Sequence, residues 1–194
     1  MRIFGALYDR VLHWSGHPHA AWYLGGLSFA ESSFFPIPPD VMLAPMTLAK
    51  PSAAWRYALL TTLTSVAGGL LGYFIGLFAL EAVEGWLQDL GYWQGYLTAR
   101  AWFEEWGFWA VFLAGFSPIP YKVFTISAGA LAMNLPLFVI ASFFGRGGRF
   151  FLVAGLIRLG GARMEAALRR HIDLIGWVTV LLVVVGIGLW KLLA

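Results

Sequence analysis

Phe34-Phe35-Pro36-Ile37-Pro38-Pro39-Asp40-Val41 interrupts one apolar stretch of this chain, and Phe116-Ser117-Pro118-Ile119-Pro120-Tyr121-Lys122-Val123 interrupts another. The two octapeptides align without gaps on a shared Pro-Ile-Pro. Each is followed by a glycine-bearing apolar segment: Ser65-Val66-Ala67-Gly68 after the first, Ser142-Phe143-Phe144-Gly145 after the second. Proline lacks the backbone N–H that a helix interior needs, so each copy ends one helix and starts another. Matching breaks in the two halves of an apolar chain point to an internal repeat, with a site where its copies meet.

The flanks of the breaks set their depth. Ala20 to Phe35 runs uninterrupted for 16 residues, roughly 24 Å of helix, against the ~20 residues a spanning helix needs. Residues 20–50 therefore read as a re-entrant hairpin with Phe35–Pro39 at its tip and an aqueous turn at Lys50-Pro51-Ser52. Residues 107–134 read as a second hairpin. Pro36, Pro38, Pro39, Pro118 and Pro120 mark the two tips. Residues 53–80 and 135–157 are long enough to cross a bilayer, and 172–190 form a last apolar span. Within 53–80, Gly68, Gly72 and Gly76 recur every four residues and bare one helix face for close helix contact.

Composition agrees with this reading. Of 194 residues, 60% are hydrophobic and 12% charged, against about 25% charged in an ordinary soluble domain. Mean hydropathy is +0.74. Ten tryptophans fit a chain with headgroup-level aromatic belts. No cysteine is present, which excludes disulfides and thiolate metal sites. The N-terminal residues 1–16 read as an interfacial amphipathic helix without a cleavage site. Residues 81–105, with five acids and one arginine, read as a second interfacial stretch. The basic residues gather at the N-terminus, the 50–56 turn and the 158–170 loop. The positive-inside rule places these in the cytoplasm and 81–105 outside. That assignment holds only if both hairpins return to the side they entered from, one from each face. The fold expected is an all-α polytopic membrane protein, one domain over 1–194. It is an inverted repeat of two re-entrant hairpins, each followed by a spanning helix, plus a C-terminal spanning helix.

Five charges fall inside the expected apolar slab: Glu31, Asp40, Lys122, Arg146 and Arg149. A charge at the bilayer centre costs roughly 2.5–3.5 kcal/mol on insertion scales, so pairing and water access are expected. Helices starting near Asp40 and Lys122 each point a positive dipole end inward, suited to an anion. Arg146 and Arg149, three apart, share a helix face and suit a phosphate. Lys122, Arg146 and Arg149 are the expected phosphate ligands; Glu31 and Asp40 are expected to pair with them or take protons. Plainer readings exist for each: interfacial placement for Glu31, helix capping for Asp40, snorkelling for Lys122, headgroup contact for the arginines. His13, His17 and His19 make a poor metal set, broken by Pro18 and without a matching carboxylate. No HExxH, GxSxG, P-loop or GxGxxG motif occurs, so neither an enzyme nor a nucleotide-binding protein is indicated.

The run from Glu31 to Asp40, Gly115-Phe-Ser-Pro-Ile-Pro-Tyr-Lys122, Ala128-Gly129 and Gly145-Arg-Gly-Gly-Arg-Phe150 resemble the DedA family, also called SNARE-associated or VTT-domain proteins, and within it the YqaA-like branch. The resemblance covers roughly residues 20–190. It implies two opposed re-entrant hairpins in a bacterial inner membrane and movement of phospholipid or polyprenyl phosphate between leaflets, proton-coupled in several members. It places Glu31 and Asp40 at the family's acidic pair and Arg146 and Arg149 at its basic cluster. Two departures stand out. The acidic spacing is shorter than in the better-studied branch, and Gly115 holds the place of an arginine, with Lys122 the substitute for another. Membrane lipids with anionic headgroups are the expected partners, with no cofactor and no nucleic acid; self-association is left open. Alternatives are a small-ion or metabolite transporter on the same notch and a non-transporting assembly factor.

Overall fold

The computed structural model describes residues 17, 19–35, 37–117 and 120–161. The expected interfacial helix 1–16, the final span 172–190, Pro36 and Pro118 lie outside the described residues. So do Arg163, Arg169 and Arg170, on which part of the positive-inside assignment rests.

Every regular element among the described residues is helical. We number them α1 (Ala20–Ser33), α2 (Asp40–Ala49), α3 (Ala54–Asp89), α4 (Trp93–Phe116), α5 (Tyr121–Ala130) and α6 (Leu135–Gly161). A single 3-10 turn, Pro51–Ala53, joins α2 to α3. Two stretches are long and apolar enough to cross a membrane: Pro51–Ala82 and Leu135–Gly161.

The prolines punctuate as their chemistry requires. The amides of Phe34 and Phe35 both donate to the carbonyl of Ala30 and close α1, because the following prolines have no N–H to continue it. Pro39 precedes α2, and the amides of Met42 and Leu43 turn back to its carbonyl. Ser117 is extended at ψ 162°, the conformation a residue before proline is pushed into, and α4 stops there. Asn134 starts α6 by accepting from the Leu137 amide at 3.2 Å, an N-cap.

Contact registers give the helix directions. Ser28 donates to the Thr61 carbonyl, Ser32 meets Ser65, and Ser33 donates to the Gly68 carbonyl; α1 and α3 therefore run parallel. Leu43 and Met46 of α2 pack with Ala20, Leu24, Ala54 and Ala58, so α2 brings the chain back to the level at which α1 began. The other half behaves alike. Gly145 of α6 lies against the Phe112 carbonyl of α4, and Gly148 against Phe116, so α4 and α6 are parallel. Ser65 meets Arg146 and Trp55 stacks on Phe151, so α3 and α6 are antiparallel.

The glycine stripe of α3 lies at the closest helix contacts of this packing. A Cβ at Gly68 would lie 2.1 Å from the Phe29 carbonyl oxygen, and one at Gly76 1.9 Å from that of Ile126. The helices touch backbone to backbone, the contact that small residues permit in lipid. Gly129 reciprocates from α5, its Cβ position 1.8 Å from the Tyr73 carbonyl oxygen.

Two apolar clusters result. One joins α1, α2, the start of α3 and the later part of α6 around Leu24, Leu43, Met46 and Phe150. The other joins the later part of α3, α4, α5 and the start of α6 around Tyr73, Val111, Tyr121 and Phe138. Between them lies a buried polar layer of Ser32, Thr62, Ser65, Thr125, Ser142 and Arg146.

Residues 81–105 form no separate element. They are the end of α3 and the beginning of α4, joined at Gly91, whose φ of +75° makes the turn. Glu81, Glu84, Glu104 and Glu105 change the hydropathy there without interrupting either helix.

Candidate functional site

The middle of α6 projects two arginines into the polar layer. Three residues apart, Arg146 and Arg149 lie on one helix face, and each meets a carboxylate of the first half. Arg146 is 2% exposed. Its Nη2 donates to Glu31 at the end of α1, and its Nε donates to Ser65 Oγ on α3 at 2.6 Å. The guanidinium lies between two rings, 4.9 Å from the centroid of Tyr121 and 4.6 Å from that of Phe150. These faces supply cation–π attraction where water is absent. Tyr121 is itself held by donating to Ser142 Oγ.

Hydroxyl groups complete the first pair. Ser32 donates to Glu31 Oε2 at 3.2 Å and lies 2.7 Å from Ser65 Oγ. With Ser65 accepting from Arg146, its own proton is available for Ser32. The carboxylate, two hydroxyls and the guanidinium thus form one closed circuit, which is what keeps a buried charge tolerable.

Arg149 ties the two breaks together. Its Nη2 donates to Asp40 Oδ2 at 2.6 Å, and its Nη1 donates to the Ser117 carbonyl at 2.6 Å. Asp40 opens α2 and Ser117 closes α4, so one fork of α6 bridges the chain breaks of both halves. The second carboxylate oxygen of Asp40, Oδ1, is buried with no hydrogen-bond partner among the described residues. An acceptor left in that condition marks a place where a further donor fits.

Four of the five expected charges are therefore brought together. Lys122 stands in the first turn of α5, half-buried, and forms no ion pair among the described residues; its carbonyl accepts from Thr125 Oγ1. Pro39 is buried, whereas Pro38 and Pro120 are exposed. Sequence reasoning did not single out Ser32, Ser65, Tyr121 or Phe150 as part of this site. Two of them had a visible signal: Ser65 aligns with Ser142 in the repeat, and Tyr121 follows the second Pro-Ile-Pro directly.

Residues 37–159 match the VTT domain. The chain belongs to the VTT-domain family. The match runs from the first break through α6; it contains Asp40, Lys122, Arg146 and Arg149 and leaves Glu31 just outside. Among relatives, the chain is 48% identical over 191 residues to an uncharacterized protein of Haemophilus influenzae, covering 98% of this chain and all of that one. An uncharacterized homolog of Histophilus somni is 45% identical over 185 residues, 95% of this chain and 97% of the relative. No solved structure matches the chain. Membership in this membrane-associated family agrees with the two long apolar helices of the fold.

Proposed function

We propose that this VTT-domain protein moves a lipid phosphate headgroup, of a phospholipid or a polyprenyl phosphate, between the leaflets of a bacterial inner membrane. The observation that carries the reading is the pair of arginines on α6, each engaged by a carboxylate from the other half, the first pair in the buried polar layer and the second half-buried beside it. A phosphate offers the same fork-shaped acceptor geometry as a carboxylate, with more charge. It can replace Glu31 on Arg146 and Asp40 on Arg149 without leaving either guanidinium unpaired. Lys122, uncommitted to any carboxylate among the described residues, adds a third cation.

Moving a headgroup across hydrocarbon is slow because a charge there has no solvent. A polar layer between two apolar clusters supplies that solvent for the headgroup. The displaced carboxylates are then free to take protons, which would link the cycle to a proton gradient. On this reading the two breaks are tips of re-entrant hairpins that enter from opposite faces. What supports it is the helix directions: α1 is parallel to α3, α4 is parallel to α6, and α3 is antiparallel to α6.

A leaflet-exchange assay in proteoliposomes tests the proposal, comparing wild type with Glu31→Ala, Glu31→Gln and Arg146→Ala. The expected result is exchange by wild type and a loss of about tenfold or more in the variants, equivalent to about 1.4 kcal/mol or more. Equal rates in folded variants would remove the site. Flux of inorganic phosphate from sealed vesicles, without lipid exchange, would instead indicate a transporter of soluble anions.

A further inference from the structure

Each half carries an apolar groove between the two arms that flank its break. Between α1 and α2, a cavity of about 660 Å³ is lined by His17, Trp22, Tyr23, Gly26, Leu27 and Met42. Between α4 and α5, one of about 550 Å³ is lined by Gly95, Ala99, Trp102, Val123, Phe124 and Leu131, among others. Both volumes fall in the ~300–1,000 Å³ range of ligand sites. In the sequence, both linings come close to residues of the charged site. Leu27 stands one helical turn before Glu31 on the same face of α1, Met42 follows Asp40 by two residues, and Val123 follows Lys122 directly.

The glycines in these grooves differ from those of the helix contacts. A Cβ at Gly68, Gly76, Gly129 or Gly145 would strike a backbone carbonyl, so packing accounts for them. A Cβ at Gly26 or Gly95 would meet nothing within 4 Å. Glycine inside a helix is less stable than alanine by about 1 kcal/mol, and no neighbour requires it at either position. What the missing side chain does is keep each groove open.

We propose that the two grooves seat the hydrocarbon chain of the transported lipid, one groove for each leaflet, while its phosphate occupies the arginine site. This rests on the lipid-transport reading and adds where the chain lies. The occupant is hydrocarbon because the lining of each groove is mostly apolar, with a charged residue of the site within a helical turn of it in the sequence. An apolar groove in each half matches a substrate that must be received from either side.

The test uses the full chain in vesicles of phosphatidylethanolamine and phosphatidylglycerol carrying a photoreactive group midway along an acyl chain. Adducts are mapped by mass spectrometry in wild type, Gly26→Leu and Gly95→Leu. Both substitutions suit a helix, and a Cβ at either position meets nothing within 4 Å. The expected result is labelling of Tyr23 and Met42 and of Phe124 and Leu131. Gly26→Leu is expected to lower the first pair, and Gly95→Leu the second, by about tenfold, while labelling of the lipid-exposed Phe144 is unchanged. Wild-type labelling of Phe144 alone overturns the proposal, as does groove labelling that neither substitution alters. The first result is also what occupation by residues 1–16 or by a second copy would give. Leaflet exchange is measured on the same samples. Wild-type exchange rates in both leucine variants, with loss in Glu31→Gln, would end the groove proposal and leave the phosphate site standing. Groove labelling without any exchange would do the reverse.

Discussion

The two halves share a scaffold and divide the charge. In each, a helix runs to a Pro-Ile-Pro break, a ten-residue helix follows, and a long helix returns parallel to the first. Gly68 and Gly145 sit at matching contacts, one against the Phe29 carbonyl and the other against that of Phe112. Yet the first half contributes both carboxylates, Glu31 and Asp40, and the second contributes all three cations, Lys122, Arg146 and Arg149. Two ion pairs therefore join the halves across the polar layer, and on the proposed reading an anionic headgroup competes with the carboxylates for those cations.

The largest break in that comparison is Arg146→Ala. It leaves the largely buried Glu31 without its cation and costs about 3 kcal/mol, read as a lower midpoint in thermal or denaturant unfolding in detergent. Arg149→Ala is expected to cost less, because its side chain and that of Asp40 are 18% and 22% exposed. Next come the paired glycines. Gly68→Ala and Gly145→Ala each force helices apart, by about 1–3 kcal/mol. Gly68→Ala is expected to be the worse, since its Cβ would lie 2.1 Å from a carbonyl oxygen against 2.5 Å at Gly145. If only one of the two is sensitive, the halves are not equivalent in packing.

The paired serines should separate frame from chemistry. Ser65 accepts from Arg146, whereas Ser142 accepts from Tyr121. Each change to alanine is expected to cost about 1 kcal/mol in stability, but Ser65→Ala alone should slow leaflet exchange markedly. Equal effects on exchange would place Ser142 in the site too. Smallest of all is Arg100→Ala. It removes an exposed i,i+4 pair with Glu104, worth about 0.3–0.5 kcal/mol, and should leave both unfolding midpoint and exchange rate within error.

Much of this frame is readable from residues alone, because proline and glycine act locally. Pro36–Pro39 and Pro118–Pro120 end helices whatever surrounds them, and α2 begins at Asp40 as its sequence predicts. The four-residue glycine spacing likewise forecasts a close contact, though not that the stripe serves α1 at Gly68 and α5 at Gly76. The long reach of α3 was less legible. Its 36 residues extend about 54 Å at helical rise, past the ~30 Å hydrocarbon core, because Glu81 and Glu84 change polarity while remaining good helix formers. The site's membership was partly legible and its pairing was not. That Arg146 takes Glu31 and Arg149 takes Asp40 depends on which way α3 and α6 cross, a fact no local pattern carries. Lys122 reads as an equal partner in the sequence, but no carboxylate reaches it among the described residues.

On the proposed reading each hairpin returns to the face it entered from, the two from opposite faces. A chain with no cysteine allows this to be read directly with single cysteines and a membrane-impermeant maleimide in sealed, oriented vesicles. Sites at His19, Ser52, Tyr92 and Asn134 bracket the two hairpins. The account predicts that His19 and Ser52 label from the cytoplasmic side and that Tyr92 and Asn134 label from the other. Labelling of His19 and Ser52 from opposite sides, or of Tyr92 and Asn134 from opposite sides, would contradict it.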